Sequence, residues 1–337
     1  MSPRKKRAVV FLAFAVVTIG LYAWYVRGVS LLRIFPFGVP RPAGDVVHGL
    51  WSERASAPTE RSELGAAELD GRLYVVGGLD GLGRTVATVE VYDPASDSWD
   101  GAPDLPKPLH HPSVVSLDGY LYVLGGFQGL DFAPSNSVFV FDPVVGVWQE
   151  LAPMPTSRGG MGAAIYDGKI YAIGGDSPDG VSAALLVYDP SANSWSIKKS
   201  MPSARDHLAF VALGDRIYAL GGRKNDFTRL LDVVEAYDPA NDSWSVKSPL
   251  PRGLGGGAAV AYKGSIIAFG GEEATRTRGE TYRYDPSEDT WRDLTPMPIP
   301  RHGLGAAVSD GVIYAALGGK HPMLSVSGVL ETLVVEP

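Results

Sequence analysis

Arginines, a glutamate and histidines recur at fixed distances from tryptophans, and these are the residues with which this chain could do chemistry. The tenth residue after each of six tryptophans reads Arg61, Leu109, Arg158, Arg205, Leu254 and Arg301. Two positions further on stand Glu63, His111, Gly160, His207, Gly256 and Gly303. Residues two apart share one side of a strand, so the spacing predicts that both sets face the same way. Clustered arginines suit carboxylate or phosphate groups through bidentate hydrogen bonds. Glu63, His111 and His207 have the chemistry of general acids and bases. The same arginines could equally brace the protein from within, against backbone carbonyls or carboxylates such as Glu63 and Asp206. The sequence leaves both readings open.

Other chemistries fare worse. The chain has no cysteine, which removes disulfides and thiolate metal sites. His110 and His111 are adjacent, so a strand would send them to opposite faces. No two histidines have the i, i+2 or i, i+4 spacing of common metal ligands, and neither a metal nor a cofactor is predicted. Gly253-Leu254-Gly255-Gly256-Gly257 lacks the Lys-Ser/Thr of a phosphate-binding loop and reads as tight packing. Residues 1–44 carry seven basic side chains and no acid, so a formal total of −7 leaves −14 on the remainder. That field repels a phosphate backbone, and no nucleic-acid partner is expected.

The elements that must position these residues repeat. Apolar runs end in paired glycines at Gly77-Gly78, Gly125-Gly126, Gly174-Gly175, Gly221-Gly222, Gly270-Gly271 and Gly318-Gly319, spaced 48, 49, 47, 49 and 48 residues apart. Five pairs lead to an aromatic-Asp-Pro, as in Tyr92-Asp93-Pro94, and then to Trp99, Trp148, Trp195, Trp244 or Trp291. Such a period, with glycine pairs and a tryptophan, marks a propeller array. These motifs resemble the kelch repeat, over roughly residues 45–337, and the resemblance implies an all-β, six-bladed β-propeller of four-stranded antiparallel blades. In the type unit, 161–166 and 169–173 flank an Asp167-Gly168 hairpin turn, 183–188 forms the third strand, and Trp195 opens the outer one.

The ends predict how the ring closes. Trp51 stands 20 residues before Gly71, as most of the other tryptophans stand before their turn glycines, yet no glycine pair precedes it. The last repeat has no tryptophan. The strand around Trp51 should therefore complete the final blade beside residues 330–335, which removes an open sheet edge.

Antiparallel strands place the lead-in to each blade on the same face as the loop after each glycine pair. These loops are the longer and more diverse set, where binding is usually carried. Kelch propellers place arginines near this lead-in. The resemblance therefore makes Arg61, Arg158, Arg205 and Arg301 a candidate ligand-binding rim, with Glu63, His111 and His207 beside them.

Before the propeller, Arg4-Lys5-Lys6-Arg7 precedes an uncharged run at 8–26. As a helix this run would be about 28 Å long, enough to cross a bilayer. Trp24 and Tyr25 suit an interface, and the basic residues ahead of the span predict a cytosolic N-terminus and an extracytoplasmic propeller. Residues 1–7 then form a cytosolic tail, 8–26 a transmembrane helix in contact with lipid, 27–46 a Pro/Gly-broken stem and 47–337 the propeller. The expected function is a membrane-anchored interaction module for an extracytoplasmic protein or glycan. Sialic acid mutarotases (N-acetylneuraminate epimerases) also resemble extracytoplasmic six-bladed kelch proteins, which makes sugar epimerisation the alternative. Galactose-oxidase chemistry needs a cysteine that this chain lacks. Intracellular ubiquitin-ligase adaptors carry N-terminal partner domains that are not seen in this sequence.

Overall fold

A computed structural model describes residues 48–224, 226 and 228–336. The tail, transmembrane helix and stem expected at 1–46 lie outside the described residues. Among the described residues no helix is long and apolar enough to cross a membrane.

Six four-stranded antiparallel sheets form the blades. In the third, Gly162–Tyr166, Lys169–Ile173, Leu185–Asp189 and Ser194–Lys198 run from the inner to the outer strand. The inner strands are rich in Gly and Ala, because six of them crowd around one axis. Each second strand is wholly apolar in its interior, since neighbouring blades cover both of its faces. The core is divided into six clusters, each shared between two blades. The last sheet is closed as the spacing predicts: Gly49–Arg54 pairs with Leu330–Val335, Trp51 standing opposite Leu333.

The tryptophans link blades as well as filling them. Each indole N–H donates to a carbonyl of the preceding blade's outer connection: Trp99 to Ala55, Trp148 to Pro103, Trp195 to Ala152, Trp244 to Lys199, Trp291 to Ser248 and Trp51 to Thr295, at 2.7–3.0 Å. Beside four of them, the tyrosine of the Tyr-Asp-Pro motif donates its hydroxyl to the side chain five residues later, as Tyr237 does to Asp242 at 2.7 Å. That same oxygen of Asp242 accepts the Lys199 amide. One carboxylate thus ties a turn to its neighbour.

Two details of the repeat differ from the sequence reading. Five hairpins have positive φ at both central residues, as at Asp70 and Gly71, which gives the primed turn that matches strand twist. In the fourth blade only Gly214 has positive φ, at the first central position. This is why Trp195 lies one residue closer to its glycine than the other tryptophans do. In the sixth blade Leu317 and Gly318 hold the backbone places of the glycine pair, at φ 57° and 95°, so Gly318-Gly319 is one residue out of register.

Candidate functional site at the propeller axis

The glycine pairs fasten each blade to the lead-in of the next. The amide of the second position donates to the carbonyl of the residue ten beyond the following tryptophan: Gly78 to Leu109, Gly126 to Arg158, Gly175 to Arg205, Gly222 to Leu254, Gly271 to Arg301 and Gly318 to Arg61. A β-carbon on Gly77 would lie 2.3 Å from the Leu109 oxygen, which is why the first position is glycine in five blades. Inside this ring lies a second one. Glu63 donates its amide to Gly303, His111 to Glu63, Gly160 to His111, His207 to Gly160, Gly256 to His207 and Gly303 to Gly256. Six backbone hydrogen bonds, one per blade, thereby close around the axis.

Every residue of the inner ring is left-handed, with φ between 51° and 65°. Three are glycines, for which this conformation is free. Glu63, His111 and His207 hold it at a cost of about 1–2 kcal/mol each. Their side chains lean toward the preceding blade, and the glycines make room for two of them. A β-carbon on Gly303 would lie 2.5 Å from the Glu63 carboxyl carbon, and one on Gly160 would lie 3.1 Å from the His207 ring.

The left-handed turn also corrects the expectation that the two sets share a face. Arg61, Arg205 and Arg301 point into the blades and are fully buried. Arg61 donates to the carbonyls of Gly77 and Thr88 and to Glu90, the last at 2.7 Å. Arg205 pairs with Glu235 at 2.6 Å and Arg301 with Glu331 at 2.7 Å. Of the two carboxylates considered as their partners, Glu63 instead meets His111 and His302, and Asp206 meets His207 and Arg223. Arg158 is buried against Thr156 and the carbonyls of Gly174 and Ala184, and burial pushes it down to about 10. These guanidiniums bind the protein's own loops.

A signal for this was present in the repeat. The second residue of the third strand is Glu in the blades of Arg61, Arg205 and Arg301. It is Phe139 or Tyr282 where Leu109 or Leu254 replaces arginine, and Leu186 opposite Arg158.

The axial residues form a nearly closed polar circuit. His110 Nδ1 meets His111 Nδ1 at 2.6 Å, and His111 Nε2 meets Glu63 Oε2 at 2.8 Å. The two adjacent histidines were expected on opposite faces; the left-handed backbone at His111 brings their rings together. Glu63 Oε1 accepts from His302 Nδ1 at 3.1 Å, which also faces Glu272 at 3.5 Å. Glu272 pairs with Arg223 at 3.3 Å, Arg223 with Asp206 at 3.3 Å, and Asp206 accepts from His207 Nδ1 at 2.6 Å. The His207 ring then returns to His111, centroid to centroid 4.8 Å.

Sequence counting in steps of two passed over His302 and Asp206, which occupy the intervening eleventh position. It also passed over Glu272 and Arg223, which follow the glycine pairs. In five blades the eleventh residue bridges to the residue after its own blade's glycine positions, as Asp206 does with Arg223 and His302 with Gly319, and in the fifth Gly255 accepts the Glu272 amide.

Charge follows from this geometry. Burial alone would raise the Glu63 carboxyl, but His111 and His302 hold it well below the usual carboxylate range. Burial also opposes charge on His302, yet Glu63 and Glu272 outweigh it and raise the imidazole, favouring the cation. His110 is pushed down to about 3 by burial and by His111. Burial and the Arg223 charge lower His207, with Asp206 opposing.

Comparison with known proteins agrees with this architecture. The model of the KLHDC2/KLHL20/DRC7 Kelch-repeats domain matches residues 106–248 and 153–319, and that of the Kelch motif matches 60–106. Beta-scruin of Limulus polyphemus is 30% identical over 132 residues, covering 38% of this chain and 14% of the relative. Kelch-like protein 35 of Mus musculus is 29% identical over 143 residues, covering 42% of this chain and 23% of the relative. These matches thus span a quarter or less of each relative. The solved structure of YjhT superposes with a TM-score of 0.71 at 18% identity, over 81% of this chain and 94% of that one, a likeness of fold. With its repeat, its ring closure and family models matched over most of its length, the chain belongs to the kelch-repeat β-propeller family.

Proposed function

We propose that this protein is an interaction module that presents the loop-rich face of its propeller to a protein partner, held at a membrane by its N-terminal apolar segment with the propeller extracytoplasmic. The observation that carries the proposal is an apolar patch built from three neighbouring loops. Leu82, Leu130, Phe132, Met323 and Leu324 are each between 41% and 76% exposed. The loops touch: a β-carbon on Gly83 would lie 3.5 Å from Leu130 Cδ2 and 3.7 Å from Leu324 Cδ1. Contiguous exposed apolar surface of this kind marks binding sites. Phe132 and Met323 hold φ of 51° and 69°, a conformation that bulky residues rarely adopt. Phe132 rests one side of its ring on Phe127 and His110, and Met323 stays 57% exposed, so strain held at these loop tips fits a surface meant to be covered.

The alternative, epimerisation of an acidic sugar, needs a cation to hold the sugar carboxylate. Arg61, Arg205 and Arg301 are spent on internal carboxylates and Arg158 on carbonyls, which favours the binding module. A photo-crosslinking residue at Leu130 or Leu324 in the full chain, expressed in cells, tests the reading. Adducts should form there and not at the turn residue Val144, which is equally apolar and 90% exposed. Equal labelling at Val144, or none at Leu130 and Leu324, would sink it. The topology is tested separately by a reporter after Pro337, which should be active only outside the cytosol.

A further inference from the structure

The polar circuit at the axis is one link short of closure, at the His207 ring. Asp206 accepts from His207 Nδ1, so this nitrogen carries the hydrogen and Nε2 keeps its lone pair. That Nε2 is buried and has no hydrogen-bond partner. An acceptor without a donor in such a place is costly, and it requires an explanation.

The same reasoning bears on the neighbouring groups. His110 Nε2 faces the Gly129 carbonyl at 3.1 Å and must donate to it. His110 and His111 share one hydrogen between their Nδ1 atoms at 2.6 Å, and the proton that joins His111 Nε2 to Glu63 Oε2 is the one a metal ion would displace. His302 faces the His321 carbonyl with Nε2 and the Glu63 carboxylate with Nδ1, so both of its nitrogens are turned to acceptors. Glu63 is therefore held through Oε1, and its Oε2 is turned to His111. Two imidazoles and one carboxylate converge, and ligand atoms of Glu63, His111 and His207 lie within 4.8 Å of one another.

We infer that Glu63, His111 and His207 form a binding site for a divalent transition-metal ion of the zinc, cobalt or iron(II) class. Two histidines and one carboxylate suit these ions and leave further coordination positions open. Asp206 acts on His207, and His110 on His111, as outer-shell partners that fix tautomer and ring orientation. His302 and Glu272 form a second carboxylate–histidine group with Glu63. However, His302 has no lone pair to give, and Glu272 already accepts from Arg223 and from the Met323 amide. Sequence spacing predicts no metal site, because its three ligands come from three blades and meet only when the ring closes.

The test is titration of the metal-stripped full chain with Co²⁺ and Zn²⁺. Cobalt should bind with one equivalent per chain, give visible d–d absorption and be displaced by Zn²⁺, and either ion should raise the melting temperature by mass action. Asp206→Asn should weaken binding roughly 10–100-fold, and Glu63→Gln and His207→Gln should abolish it. His48→Gln, at the start of the described chain, should leave it unchanged. Circular dichroism of each metal-free variant separates loss of the site from loss of the fold. Should Glu63→Gln fail to fold, the Asp206→Asn affinity and the cobalt spectrum decide. No stoichiometric binding by the wild-type chain, or binding that Glu63→Gln, His207→Gln and Asp206→Asn leave intact, overturns the proposal.

Discussion

The positions that carry the arginine braces and the axial cluster lie two residues apart in every blade, yet they live in different physical regimes. At the tenth position after the tryptophan, Arg61, Arg205 and Arg301 each have a dedicated carboxylate and donate to carbonyls as well, while the Nε of Arg61 and of Arg205 stays unmatched. At the twelfth, Glu63, His111 and His207 share partners across blades and leave an acceptor unmet. Each member of the first set is bound within its own blade. The second is joined across blades. The twelfth residue is itself left-handed, which turns the chain from the blade interior toward the axis.

Breaking a brace should have the largest effect. Arg205→Ala strands the Glu235 carboxylate in the interior and is expected to destabilise the fold by about 3–5 kcal/mol. Replacing both partners, as Arg205→Met with Glu235→Leu, should recover most of that loss in chemical denaturation. A single variant as stable as the wild type would show that the brace is not a buried ion pair. Arg158→Leu sharpens the contrast, since Leu186 takes the place of the carboxylate there. It should cost less, about 1–3 kcal/mol, through the unmet carbonyls of Gly174 and Ala184.

Next come the ring glycines. Gly256→Ala meets nothing closer than 3.9 Å, so it should carry only the left-handed penalty of about 1–2 kcal/mol. Gly303→Ala has φ 55° as well as the Glu63 carboxylate in its way, and thermal melts should rank it the less stable of the two. Equal melting temperatures would mean that Glu63 is not pinned over that glycine. The smallest change in stability is expected at the apolar patch. Leu130→Asp and Leu324→Asp should each stay within about 0.5 kcal/mol of the parent chain, while crosslinking to the partner is lost.

Much of the scaffold was legible in the sequence. Spacing of Gly-Gly, Asp-Pro and Trp gave six repeats, and the displaced Trp51 gave the closure with residues 330–335. The one-residue offset at Gly214 was also visible, although its meaning, a different hairpin turn, needed backbone angles. The braces were half legible: matching Arg61 with Glu90, Arg205 with Glu235 and Arg301 with Glu331 requires only a comparison of the repeats among themselves. The axial site was not. Counting in steps of two assumed strand geometry through a stretch where φ turns positive, so it placed His110 and His111 apart and passed over Asp206 and His302.

The sequence by itself determined what repeats: local turn chemistry, apolar alternation and the position of each tryptophan recur within one blade and can be read there. Only the tertiary structure decided what meets at the axis. Glu63, His111, His207 and His302 come from four different blades, and no local periodicity relates them. Their contact exists because six backbone hydrogen bonds close a ring, and a ring brings together residues that are far apart along the chain.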